Sequence, residues 1–135
     1  MVADVPSILI TDDDRDFRET LCGVFEPRGF RTLTAGDGSE ALEIVRRETV
    51  HLALFDMHMP RVSGIEAIRQ LKQFHFVFPC ILLSAEADEQ MIEEARQAQA
   101  YDVLRKPVTR DNVIAAVLSA LRSAYDASSW KTVLR

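Results

Sequence analysis

Short uninterrupted apolar runs alternate along this chain with longer stretches in which apolar residues recur every three or four positions. Residues 8–13 open on Ile8-Leu9-Ile10 and read as a buried strand. Phe17, Leu21, Val24 and Phe25 then recur at helical spacing until Pro27 and Gly29 stop the pattern. Asp14, just ahead of Asp16 and Phe17, is placed to cap that helix rather than to serve as a ligand. Residues 30–34 form a second strand, and Asp37 with Glu40 three positions on marks the start of a helix carrying Ala41, Leu42, Ile44 and Val45. The alternation continues with strand 51–56, helix 64–73, strand 80–84, helix 87–98, strand 101–105 and helix 109–124. Phe74-His75-Phe76-Val77-Phe78 has period-two patterning and is read as an extended start to the fourth strand that buries alternate aromatics. The sharper alternative is an exposed contact patch.

Five β/α units whose strands are apolar throughout, rather than alternating, predict an α/β fold: a doubly wound five-stranded parallel sheet with five helices covering both faces. Ligands in such folds bind beyond the carboxyl ends of the strands. Those ends carry the chemistry of this chain. Asp12 and Asp13 follow the first apolar run, Asp56 ends the third strand, Ser84 the fourth, and Lys106-Pro107 follows the fifth. Two carboxylates at about 4 Å repel by roughly 4 kcal/mol at an effective dielectric of 20, so acids gathered at strand tips call for a bound cation.

A chain of 135 residues accommodates one domain with a single core, here assigned to residues 1–124, with 125–135 as a C-terminal tail or the start of a linker. Trp130, Val133 and Leu134 either begin a linker helix or pack back onto the domain. No apolar run approaches the ~20 residues of a membrane span, and Met-Val-Ala-Asp-Val-Pro lacks the regions of a signal peptide, so a cytoplasmic location is expected. Cys22 and Cys80 lack metal-site spacing and are expected to be reduced structural thiols. A formal net charge of −5 with dispersed Lys and Arg argues against direct nucleic-acid binding.

The ordered set Asp12-Asp13, Asp56 with Pro60 and Gly64 four and eight residues later, Ser84, and Lys106-Pro107 resembles the receiver domain of two-component response regulators, over residues 7 to about 124. Taken singly, Ser84 is a routine strand-end hydroxyl, Lys106 a surface lysine, and Pro60 and Gly64 turn punctuation. The resemblance implies a flavodoxin-like strand order 2-1-3-4-5. It implies that Asp56 takes a phosphoryl group from a phosphohistidine of a histidine kinase or phosphotransfer protein, in a Mg²⁺-dependent reaction. Asp13 would ligate Mg²⁺ directly and Asp12 mostly through water, with the Asp56 carboxylate and the His58 backbone carbonyl completing the protein ligands. Lys106 would pair with one phosphoryl oxygen and Ser84 donate to another, while the side chains of His58 and Glu86 flank the group. His51 and His75 read as structural.

On this reading the protein is a switch rather than a turnover enzyme, although it accelerates its own phosphoryl transfer and its own hydrolysis. It would act through a downstream protein partner or a C-terminal output domain, with homodimerisation left open. Two rival readings are a phosphorylation-independent binding module and a Mg²⁺-dependent phosphatase. Two positions depart from the family pattern. Val103 stands three residues before Lys106, where receivers commonly carry Tyr or Phe, with Tyr101 on the same face nearer the strand start. Gln99 stands in a turn where Gly is usual, at a cost of roughly 1–2 kcal/mol if that turn is left-handed.

Overall fold

A computed structural model describes residues 5–125 and 130. The elements run β1 (Ser7–Thr11), α1 (Arg15–Phe25), a 3₁₀ turn (Glu26–Arg28), β2 (Arg31–Ala35), α2 (Gly38–Arg47), β3 (Leu52–Asp56), α3 (Gly64–Gln73), β4 (Cys80–Ser84), α4 (Glu89–Gln97), β5 (Asp102–Arg105) and α5 (Arg110–Ala124). The strands form one parallel sheet in the order β2-β1-β3-β4-β5. β1, β3 and β4 are buried along their whole length, whereas the outer strands β2 and β5 are partly exposed.

The period-two geometry of a strand explains why the inner strands are apolar at every position. Ile8, Ile10, Leu52, Leu54, Ile81 and Leu83 point to one face, where Leu21 and Phe25 of α1 and Val113, Val117 and Leu121 of α5 cover them. Leu9, Ala53, Phe55 and Leu82 point to the other, against Ala41, Ile44 and Val45 of α2, Ile65, Ile68 and Leu71 of α3, and Met91 and Ala95 of α4. Burying a Leu or Ile contributes about 1.5–3 kcal/mol, so both faces draw the strands into register.

Each helix opens on a side-chain cap. Asp14 accepts from the backbone of Asp16 and Phe17, Asp37 from Glu40, Ser63 from Glu66, Asp88 from Met91, and Thr109 from Asn112. These caps set the boundaries more sharply than apolar spacing does: Asp88 and Thr109 end the preceding loops rather than lying inside helices.

The extended start to the fourth strand is corrected by the structure. β4 begins only at Cys80. α3 ends in a turn centred on His75, whose φ of 65° is left-handed, with the His75 N–H donating to the Lys72 carbonyl and that of Phe76 to Leu71. Phe76 and Phe78 do pack toward the core, but Phe74 is 51% exposed with the Arg46 guanidinium 4.9 Å above its ring, and Val77 is 88% exposed.

At the opposite edge of the sheet from the strand tips, the Ser7 N–H donates to His51 Nδ1 and the Tyr125 hydroxyl to the His51 carbonyl. Trp130 lies edge-on to both rings, at 4.9 Å from His51 and 5.2 Å from Tyr125. Val133 and Leu134 lie outside the described residues. Cys22 and Cys80 are free thiols, and burial pushes that of Cys80 up to about 12. Among the described residues no helix is long and apolar enough to cross a membrane.

Gln99 does sit in the left-handed conformation, with φ of 65°, and its N–H and that of Ala100 close α4 on the Arg96 and Ala95 carbonyls. Its side chain is exposed, so nothing but backbone conformation is at stake. Gln99→Gly is therefore expected to stabilise the fold by about 0.5–1 kcal/mol, read as a higher urea midpoint at unchanged slope. A midpoint equal to or below that of the wild type would show that the turn carries no strain.

Candidate functional site

The chain reverses its direction of winding at β1, whose neighbours are β2 and β3, and this opens a crevice at the carboxyl edge. Asp12 follows β1 directly and Asp56 ends β3, so the two carboxylates stand on adjacent strands. Backbone bonds pin these two tips and that of β5: the Asp12 N–H donates to the Ala35 carbonyl, the Met57 N–H to that of Leu83, and the Lys106 N–H to that of Ser84. The Lys106 backbone thus starts at the far side of β4, and its side chain reaches back across the edge. The Lys106-Pro107 peptide is cis.

Lys106 Nζ lies 3.0 Å from Asp12 Oδ2 and 3.2 Å from Asp56 Oδ1. Asp12 Oδ1 accepts from the Asp14 N–H at 2.8 Å, and its carbonyl accepts from Arg18 Nη1 at 2.7 Å. Carboxylate oxygens of Asp12, Asp13 and Asp56 all lie within 4.8 Å of one another, with Asp12 and Asp56 buried and Asp13 exposed. Such an all-oxygen cluster could hold a metal ion.

Burial, and then the charge of Asp12, push the Asp56 carboxyl above its ordinary value, against the opposing effects of Lys106 and a backbone hydrogen bond from His58. Burial alone would lower the Lys106 ammonium, but its hydrogen bond to Asp12 and the charges of Asp12 and Asp56 together outweigh that and hold it above its ordinary value.

Ser84 is fully buried at the tip of β4, and its Oγ accepts from the Glu86 N–H at 3.1 Å. The side chains of His58 and Glu86 are exposed, on the loops that follow Asp56 and Ser84. Gly64 is required by packing. A Cβ there would meet the Asp56 carbonyl at 2.6 Å and Leu82 Cδ2 at 2.7 Å, so only glycine lets α3 begin this close to the tip of β3. The structure thus gathers Asp12, Asp13, Asp56 and Lys106, and leaves Ser84 and His58 beside them. Two further residues that the sequence pattern does not mark border the site: Arg18, through its bond to the Asp12 carbonyl, and Phe17, whose ring centroid lies 4.4 Å from Lys106 Nζ.

The model of the response regulator receiver domain family matches residues 8–118. The chain belongs to this family. The receiver is 34% identical over 110 residues to sporulation initiation phosphotransferase F of Bacillus subtilis, covering 82% of this chain and 89% of that protein. It is 31% identical over 119 residues to response regulator RR06 of Streptococcus pneumoniae, covering 88% of this chain and 54% of that protein. The chain therefore spans about half the length of RR06. The receiver domain of the Francisella response regulator 1452 superposes with a TM-score of 0.84 at 28% identity, over 89% of this chain and 99% of that one.

In this receiver Val103 packs into the cluster on the α2–α3–α4 side. Tyr101 borders the same groove between α4 and β5, as period two predicts, but its hydroxyl crosses the open sheet edge to Ser119 Oγ of α5 at 2.7 Å. Hydrogen bonding with Ser119 and then Ser123 lowers the Tyr101 phenol below its ordinary value.

Because Asp56 ionises higher in the folded chain than its ordinary 3.8, the folded protein holds an extra proton between those two values, and stability falls as pH rises through the folded value. Asp56→Asn removes the buried charge and is expected to raise the melting temperature at pH 7 in chelator-treated buffer. The advantage should shrink as pH falls through the folded value toward 3.8. If the variant melted at or below the wild-type temperature at pH 7, pairing with Lys106 would outweigh the burial of Asp56.

Proposed function

We propose that Asp56 of this receiver accepts a phosphoryl group from the phosphohistidine of a histidine kinase or phosphotransfer protein, and that the modification switches the domain between two conformations. The observation that carries the reading is the Lys106 ammonium held between Asp12 and Asp56, at 3.0 and 3.2 Å, beside a third carboxylate. A single ammonium leaves this cluster with an excess of negative charge when its acids are ionised. That donor set fits Mg²⁺, which favours a few carboxylates and keeps its remaining positions for water and phosphate oxygens. Asp12, Asp13, the Asp56 carboxylate and the His58 backbone carbonyl would hold it. When bound, Mg²⁺ neutralises charge on the phosphoryl oxygens as they approach the carboxylate.

The chain's own residues supply the rest. An Asp56 oxygen attacks phosphorus, the new O–P bond forms as the N–P bond to the donor imidazole breaks, and the departing nitrogen keeps the electron pair. Lys106 is positioned to exchange its bond to Asp56 for one to a phosphoryl oxygen. Ser84, at the neighbouring tip, would donate its hydroxyl to another. Addition of roughly one to two negative charges to an already acidic crevice gives the modified state a different balance of contacts from the resting one.

This reading places the protein in the cytoplasm as a switch, with a downstream protein partner or a C-terminal output domain, and with self-association as one route of output. A second reading, a binding module that needs no phosphorylation, is favoured by Val103 alone, since the aromatic common at that position is missing. Intact mass after incubation with acetyl phosphate decides between them. A gain of one phosphoryl group that requires Mg²⁺ and is absent in Asp56→Asn is expected; an unmodified, folded wild type that also fails with a kinase donor would leave the binding module.

His58, exposed and two residues past Asp56, would flank the acyl phosphate on this reading, and its ring would then restrict the approach of water. His58→Ala is accordingly expected to shorten the lifetime of phospho-Asp56 without preventing its formation. Decay at the wild-type rate would limit His58 to its backbone.

A further inference from the structure

The acidic run after β1 does more than gather charge. Asp12 Oδ1 is fixed by the Asp14 N–H, and the Asp14 carboxylate in turn caps the first turn of α1 through the N–H groups of Asp16 and Phe17. That turn carries Phe17 to the mouth of the crevice, where its ring centroid lies 4.4 Å from Lys106 Nζ. Two sides of the ammonium face the carboxylates of Asp12 and Asp56, and a third faces the ring. We propose that Phe17 is a positioning residue for phosphoryl transfer, its ring holding the Lys106 ammonium over the crevice in place of water.

This inference rests on the role assigned to Lys106 above. A lysine ammonium is compact, strongly hydrated and borne on a flexible stem, so an unguided Lys106 would spend time extended into solvent. The face of an aromatic ring attracts a cation and displaces its water. Phe17 is half buried at the fringe of the α1–α5 core, so its ring is anchored from behind while its face meets the ammonium. When Lys106 gives up its bond to Asp56 for a phosphoryl oxygen, the ring keeps the ammonium within reach of both.

The test compares wild type, Phe17→Leu, Phe17→Trp, Lys106→Ala and the Phe17→Leu/Lys106→Ala double variant. Two readouts are taken: the rate of Mg²⁺-dependent phosphorylation by acetyl phosphate, and the NMR shifts of the Lys106 Cε protons, which feel the ring current of a stacked aromatic. Phe17→Leu keeps apolar bulk and removes the π face; it is expected to slow phosphorylation about two- to fivefold, the size of an exposed to partly buried cation–π contact, and to move the Lys106 protons out of the ring-current range. Phe17→Trp should restore both.

In the Lys106→Ala background the leucine change should have no further effect, whereas a purely structural role for Phe17 would persist there. Equal rates for wild type and Phe17→Leu, equal losses for leucine and tryptophan, or an undiminished leucine effect without Lys106 would each overturn the proposal. A wild type that takes no phosphoryl group on Asp56 would instead overturn the reading on which it rests.

Discussion

The ion pair that Lys106 makes with Asp12 and Asp56 is the constraint around which the carboxyl edge is arranged. Carboxylates on adjacent strand tips repel, and burial makes the repulsion worse by removing the water that would screen it. One ammonium relieves part of that stress and leaves the rest. The resting site is thus held in an incompletely neutralised state, with Asp56 biased toward its protonated form and Lys106 biased against losing its proton. A further cation or a charge-bearing ligand changes this balance more than it would at an ordinary surface.

Everything that delivers those groups comes from the winding of the chain. Parallel strands put all five carboxyl ends on one edge, and the order β2-β1-β3-β4-β5 makes β1 and β3 neighbours, so Asp12 and Asp56 meet although they are far apart in sequence. The helix caps sit on the same edge, and the positive ends of the helix dipoles surround the acids. Gly64 then lets α3 start against the Asp56 backbone itself. Fold and site share the same residues here: Asp14 is a helix cap whose backbone also fixes a carboxylate of the crevice.

Much of this was legible along the chain because it depends on where apolar runs stop. Asp12, Asp56, Ser84 and Lys106 each stand at such a stop, and strand ends located to within a residue or two suffice to bring them to one edge. What eluded the pattern depended on three-dimensional neighbours or on backbone conformation. Phe17 reads as the first core position of a helix, and nothing local tells that the next group in space is an ammonium from the far end of the chain. Residues 74–78 mimic a strand because aromatics alternate, but a left-handed turn at His75 intervenes, and histidine at that place carries none of the warning that a glycine would. Gln99 is the instructive contrast: the family pattern pointed to a left-handed turn there, and the backbone adopts one without glycine.

The anchoring of Tyr125 and Trp130 on His51 gives the far end of β3 a character of its own. β3 carries Asp56 at one tip and is preceded by His51 at the other, a span of about 16 Å along an extended backbone buried on both faces. Trp130 is the only tryptophan in the chain. Excited selectively, Trp130 therefore reports on the cluster it forms with His51 and Tyr125, at the end of β3 opposite the crevice, and an emission change that accompanies events at Asp56 registers coupling across the domain rather than contact with the site.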